Sequence, residues 1–310
     1  MILVAGSANL DFVVQASHIP APGETVLGHG FRTYPGGKGA NQAVACARAA
    51  AASTHMLLAL GDDAYALPLE ASLREAGVQM HTVRTPEHPT GTAFICVSDD
   101  AENAITVAPG ANMALAPAHL PSLQGFSHLL MQLETPIATV TAYAAAARAA
   151  GVQVVLNAAP ACELPAQLLG LIDVLVVNQG ELAQITQCQG SVAQCLKHLR
   201  VPTVVVTLGG RGCCARTGSE TFVQSAFAVT PVDTTGAGDT FCGVLVAALG
   251  AGEPLPVALR RASAAGALAC TQAGAQSSIP THDAVNALLR TSQENTPERQ
   301  AALRLFCGLA

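Results

Sequence analysis

Tryptophan is absent from these 310 residues, and the other aromatics are few, with eight Phe and three Tyr. A surface that stacks nucleobases on aromatic rings is therefore poorly supplied. Charge is also thin: Asp, Glu, Lys and Arg make up 12% of the chain and the formal net charge is -6. That balance offers no basic face to nucleic acid and no polybasic segment to a membrane. No apolar run is long enough to span a bilayer. The opening Met1-Ile2-Leu3-Val4-Ala5-Gly6-Ser7 lacks a basic head, and Asp11 follows too soon for an export signal. A cytoplasmic location is expected. The ten cysteines form no C-x-x-C pair, and the nine histidines show neither H-x-x-x-H nor a Cys/His cluster. They read as reduced thiols without a structural zinc site.

What the chain does have is apolar bulk, half of all residues, in strand-like runs that alternate with Ala-rich helical stretches. Strands are expected at Ile2–Ala5, His55–Leu60, Leu129–Gln132, Val152–Leu156, Val174–Val177 and Thr203–Thr207. Helices are expected at Ala40–Ala51, Ala66–Ala76, Ile137–Ala150, Glu181–Thr186 and Val192–Leu199. This alternation predicts an α/β fold with a mostly parallel sheet covered on both faces. Phe12–Tyr34, and Thr90–Val97 with Ala104–Val107, break the pattern and lack helical periodicity. They read as an antiparallel flap built from two insertions. Residues 291–310 read as a polar linker and a short terminal helix.

Three motifs carry chemistry. In Asp233-Thr234-Thr235-Gly236-Ala237-Gly238-Asp239-Thr240-Phe241 a small-residue turn opens an apolar helix marked by Phe241, Val244, Leu245, Ala248 and Leu249. Unpaired backbone N–H groups at such a terminus favour an anion, and the glycines let a phosphate approach the backbone. Taken alone, Asp239 is more readily a helix cap than a catalytic acid. The second motif, Gly36-Gly37-Lys38-Gly39-Ala40-Asn41-Gln42-Ala43, is another glycine turn opening a helix. Its spacing fails the G-x-x-x-x-G-K-[ST] phosphate loop, and Lys38 and Asn41 share one helix face that could meet a hydroxyl-bearing substrate. In the third, Gly6-Ser7-Ala8-Asn9-Leu10-Asp11, Asn9 and Asp11 alternate to one side of an extended chain and could grip vicinal hydroxyls.

The joint occurrence of these motifs with Pro20-x-Pro22-Gly23-Glu24-Thr25-Val26 resembles the ribokinase family of sugar kinases over residues 1 to about 290. Further landmarks are Met131-Gln132-Leu133-Glu134, Leu156-Asn157-Ala158-Ala159-Pro160-Ala161, Asn178-Gln179-Gly180-Glu181, Thr207-Leu208-Gly209-Gly210-Arg211-Gly212 and Gly274-Ala275-Gln276. The resemblance implies a three-layer α/β/α kinase domain over residues 1–290, with a small β lid from about 12–35 and 89–107, and a tail at 291–310. It implies ATP-dependent phosphorylation of D-ribose at its primary 5-hydroxyl, with Asp239 as general base and Gly236, Ala237 and Gly238 forming an anion hole. Asn9, Asp11, Gly37, Lys38, Asn41 and Glu134 fall at sugar-holding positions. Asn178 and Glu181 match the motif that organises Mg²⁺ and phosphates; Thr207, Gly209, Gly212 and Ser263 match the nucleotide side. Asp233, Thr235, Ala269, Gln272, Gly274 and Ser278 match positions around a monovalent cation, K⁺. The family also implies a homodimer through the lid.

Other readings stay open. A related kinase for another sugar, deoxyribose or a nucleoside fits the same motifs, although few aromatics are available to hold a base. A sugar-binding regulator without catalysis is disfavoured by intact Asp239, Gly236, Gly238, Asn178 and Glu181. A nicotinamide-dependent dehydrogenase is disfavoured because Gly6-Ser7-Ala8-Asn9 stands where G-x-G-x-x-G belongs.

Overall fold

Leu3 and Val4 are both fully buried yet belong to different hydrophobic clusters, because neighbouring strand residues point to opposite faces of a sheet covered on both sides. The computed structural model describes residues 1–100 and 102–309. Ala101, in the polar turn Ser98–Asn103 expected to join the two short flap strands, and Ala310, at the end of the expected tail, lie outside the described residues. The strands are β1 Ile2–Ala5, β2 Asn9–Ala16, β3 Gly30–Gly36, β4 Thr54–Leu60, β5 Gln79–Arg84, β6 Gly91–Ser98, β7 Asn103–Ala108, β8 His128–Met131, β9 Gln153–Asn157, β10 Val174–Asn178, β11 Thr203–Thr207, β12 Gly212–Thr217 and β13 Glu220–Ser225. The helices are α1 Lys38–Val44, α2 Ala66–Glu75, α3 Ile137–Ala149, α4 Ala166–Leu169, α5 Gln179–Thr186, α6 Val192–Leu196, α7 Ala237–Gly250, α8 Leu255–Ala269, α9 His282–Thr291 and α10 Pro297–Cys307.

Nine strands form the main sheet in the order β13-β12-β11-β10-β9-β8-β1-β4-β5. Neighbours from β11 to β5 run parallel, while β12 and β13 add an antiparallel edge. Residues of α1, α2, α7, α8 and α9 pack on the face that contains Val4, and residues of α3 to α6 and α10 pack on the face that contains Leu3. The expected three layers are present. Strands β5 and β12 have no counterpart among the expected strands: β5 carries polar Gln79, His81 and Thr82, and β12 begins in a glycine-rich turn. Strand β13, by contrast, overlaps the loosely alternating run Phe222–Val229. Helix α1 begins earlier than expected and continues as a π-helical turn at Ala45–Ala49.

The second sheet has the order β3-β2-β6-β7. It is mixed rather than antiparallel, because β2 and β6 pair in parallel with Leu10 opposite Thr92. The cause is topological: β2 follows β1 and β6 follows β5, and both parents are parallel strands whose carboxyl ends lie on the same side of the main sheet.

Helices α1 and α7 pack closely on one face of the main sheet. A Cβ at Gly243 would lie 2.4 Å from the Gln42 carbonyl oxygen and 2.7 Å from the Ala45 Cβ. Only glycine allows that approach, and it brings the first turns of both helices side by side. The tail is anchored separately. Glu294, 4% exposed, accepts from Arg260 Nε at 2.6 Å, and Asn295 Oδ1 accepts from the backbone of Ser225 on edge strand β13. The Ser225 contact occupies one backbone donor at the end of the edge strand.

Candidate active site

The carboxyl ends of β1, β8, β9, β10 and β11 deliver Asn9, Glu134, Asn157, Asn178 and Thr207 to one side of the main sheet, or to the few residues just beyond. In open α/β sheets this is where ligands bind. Helix α7 opens at the same end. Its N-cap, Gly236, has φ of 74°, a left-handed conformation, and an added Cβ would sit 3.0 Å from Ala275 Cα. The turn is thus pressed against the 273–278 loop. The Ala237 N–H, one of the expected anion donors, donates to the Thr234 carbonyl at 3.2 Å. Gly238 and Asp239 keep first-turn N–H groups that the helix cannot pair.

Asp239 is buried, and both carboxylate oxygens are held. Asn41 Nδ2 donates to Oδ2 at 3.0 Å, and Gln42 Nε2 donates to Oδ1 at 2.9 Å. A cleft opens beside it, lined by Lys38, Gly236, Gly238, Asp239 and Cys242 on the helix side. Asn178, Glu181 and Thr207 line the opposite side. Lys38 is held above the usual lysine range, first by the charge of Asp239, against the opposing effect of burial, and then by Glu134 and Glu181. An ammonium lining a cleft that also holds a helix N-terminus is an arrangement for a polyanion.

Asn178 and Glu181 form a reciprocal cap on α5. Asn178 Oδ1 accepts from the Glu181 N–H at 2.8 Å, and Glu181 Oε2 accepts from the Asn178 N–H at 2.7 Å. Glu181 is pushed upward chiefly by burial. The motif therefore serves the helix and faces the cleft at once.

The other end of the site is made of side chains. Asn9 Oδ1 accepts from Asn112 Nδ2 at 2.7 Å, and Asn112 also bonds the backbone of Ala8 in both directions. This turns the Asn9 amide nitrogen away from Asn112. Ser7 Oγ donates to Glu134 Oε2, which also accepts from the Lys38 N–H at 3.1 Å. Asp11 is buried, and its carboxyl is pushed up to about 7 by burial first and then by the charges of Glu134 and Asp239. Those three acids therefore share one neighbourhood. Asn41 Oδ1 is buried with no hydrogen-bond partner among the described residues.

A model of the pfkB family of carbohydrate kinases, described as "pfkB family carbohydrate kinase", matches residues 1–282. The chain belongs to this family. The ribokinase of Haemophilus influenzae is 37% identical over 292 residues, covering 90% of this chain and 95% of that protein. The Bacillus subtilis ribokinase is 36% identical over 293 residues, covering 93% and 99%. Among solved structures, Arabidopsis thaliana ribokinase complexed with ribose and ATP matches with a TM-score of 0.85 and 33% identity, covering 94% of this chain and 99% of that one.

In this carbohydrate kinase the three expected motifs converge. Asn9, Asp11, Lys38, Asn41, Glu134 and Asp239 form one constellation, and Gly37 lies buried behind it as the N-cap of α1. Gly209 and Gly212 lie further along the loop after Thr207. Ser263 is buried on α8, with its Oγ 3.8 Å from Cys213 Sγ, and does not line the cleft. Asp233 links two loops: Oδ1 accepts from the Thr235 N–H at 2.9 Å and Oδ2 from the Gly274 N–H at 2.8 Å. Although burial opposes them, those bonds hold its carboxyl below the usual range. Gln42, Asn112, Gln132 and Asn157 were not expected as site residues. An amide just past the carboxyl end of a parallel strand was the available signal for the last two.

Proposed function

We propose that this kinase transfers the γ-phosphoryl group of ATP to the primary 5-hydroxyl of D-ribose, giving ribose 5-phosphate and ADP. One observation carries the reading: Asp239 sits at the N-terminus of α7, with both oxygens oriented, between a cleft suited to phosphates and a cluster suited to hydroxyls. The ribokinase relatives and the solved relative with ribose and ATP support the choice of substrates.

The chemistry follows from the geometry. Asn9, Asp11, Asn41 and Glu134 would hold the sugar's hydroxyls, and an analogue lacking one would strand a buried polar group. The 5-hydroxyl oxygen attacks the γ-phosphorus as the bond to the β-phosphate oxygen breaks, and Asp239 takes the hydroxyl proton late in the step. Charge growing on the transferred group would meet the Gly238 and Asp239 N–H groups and the Lys38 ammonium. Thr207, Gly209 and Gly212 would flank the nucleotide. Asn178 and Glu181 supply oxygen atoms at the cleft wall that suit a largely hydrated Mg²⁺, which when bound would neutralise phosphate charge. The Asp233 carboxylate and the carbonyls of the 269–278 loop are hard donors that suit K⁺. That site lies beside the Gly236 turn, so a cation there would add positive charge near the anion donors.

The second sheet is read as a lid whose closure excludes water from the transfer. Val14, Phe31, Phe94, Ile105 and Val107 are exposed on it, which supports a homodimer through the lid. A cytoplasmic location is part of the same reading, supported by ten cysteines that are all free thiols. No helix is long and apolar enough to cross a membrane among the described residues.

The test is ADP release against ribose, deoxyribose, fructose, 2-keto-3-deoxygluconate and nucleosides, with K⁺ or Na⁺ present. Ribose should give the highest kcat/KM, and K⁺ should raise turnover over Na⁺. Preference for a non-pentose would overturn the ribose assignment and leave the family standing.

A further inference from the structure

Asp239 Oδ1 is held by Gln42, a residue that is itself fully buried and does not line the cleft. Gln42 Nε2 donates to Asp239 Oδ1 and to Asn157 Oδ1, each at 2.9 Å, and Gln42 Oε1 accepts from Gln132 Nε2 at 2.6 Å. Gln42 lies on α1, and its three partners come from the residue after β8, the end of β9, and α7.

Both ends of this chain of amides fix its direction. A carboxylate has no proton to donate, so the Gln42 amino group must face Asp239. Asn157 Nδ2 donates to the Val176 carbonyl at 3.2 Å, which turns Asn157 Oδ1 toward Gln42. Gln42 Oε1 can then only accept, and Gln132 must present its amino group. None of the three amides can flip without setting like atoms against each other. A carboxylate on a helix otherwise rotates broadly about its last torsion. Donors on two different oxygens, from Asn41 and Gln42, stop that rotation.

We infer that Gln42 is a positioning residue, which fixes the plane of the Asp239 carboxylate toward the reacting hydroxyl, with Gln132 and Asn157 orienting Gln42 in turn. The inference rests on the reading of Asp239 as general base.

Steady-state kinetics of the full chain with ribose and ATP test it through Gln42→Leu, Gln132→Leu, Asp239→Asn and the double variant Gln42→Leu/Asp239→Asn. Gln42→Leu should lower kcat by ~10–100-fold while the ribose KM stays within about twofold, because only the alignment of the base is lost. Gln132→Leu leaves both direct partners of Asp239 in place and should lower kcat by ~3–10-fold with the same split. The double variant should be no slower than Asp239→Asn alone, since Gln42 acts through that carboxylate. A Gln42→Leu kcat within about twofold of the parent would overturn the inference. So would a ribose KM that rises in step with the loss of kcat, or a double variant slower than Asp239→Asn by the full Gln42→Leu factor. Should Gln42→Leu not fold, Gln132→Leu decides by the same kcat and KM split. Near-normal turnover by Asp239→Asn would instead sink the general-base reading, an outcome separate from the others.

Discussion

The two ends of the site are built from different materials. At the end proposed for phosphate, the donors are the Gly236 turn, the first-turn N–H groups of α7 and the Lys38 ammonium. At the end proposed for the sugar, Asn9, Asp11, Asn41 and Glu134 are side chains, three of them buried, and each is tied to a neighbour or electrostatically coupled to one. Backbone donors do not titrate and cannot rotate away, so the phosphate end depends on chain conformation. The sugar end depends on the charge and orientation of individual groups. Asp239 belongs to both, since it sits on the backbone-built helix end and is oriented by side chains of α1.

The largest effect should come from that shared residue. Asp239→Asn should lower kcat by ~10²–10⁴-fold, the usual worth of a positioned base, while ribose binding measured by calorimetry stays close to that of the parent. Equal losses in binding and turnover would erase the distinction between the two ends. A smaller loss is expected when the phosphate end is disturbed through its backbone. Gly236→Ala forces a side chain into the left-handed region and against Ala275, at a cost of about 1–3 kcal/mol. It should lower kcat by ~10–100-fold with little change in ribose KM, as expected for a displaced anion donor. A raised ribose KM with unchanged kcat would show that the turn serves the sugar instead.

The smallest effect concerns charge at the sugar end. Asp11 titrates at about 7 in the folded, ligand-free chain, against 3.8 for an ordinary aspartate. Ionising it in place is costly, so its contribution to stability is full below the unfolded value and is lost as pH rises through about 7. The melting temperature should therefore fall between about pH 4 and pH 7, and Asp11→Asn should flatten that slope by a few degrees. Sugar binding that draws on the carboxylate should strengthen over the same interval, visible as a falling ribose KM in the parent. A slope unchanged by Asp11→Asn would place the titration in another group.

The difference between the two ends also explains how much could be read in advance. The Gly236–Asp239 turn was legible because a helix terminus, its glycines and its first-turn acid are contiguous in sequence. Asn9 and Asp11 were legible because strand alternation puts them on one side. Gln42, which touches Asp239 across 197 positions, and Asn112, which touches Asn9 across 103, had no local signature. The same holds for the parallel pairing of β2 with β6, which depends on where β1 and β5 end.

Alternating apolar runs determined the layers, and the glycine turns determined where an anion could approach a helix, because both are properties of local backbone and periodicity. Only the packed structure decided which amides meet which carboxylates. The close packing of α1 and α7 at Gly243 brings Asn41 and Gln42 to Asp239, and the burial of Asp11 beside Glu134 and Asp239 moves its titration toward neutrality. Orientation and desolvation depend on neighbours distant in the chain, and no reading along one strand or helix contains them.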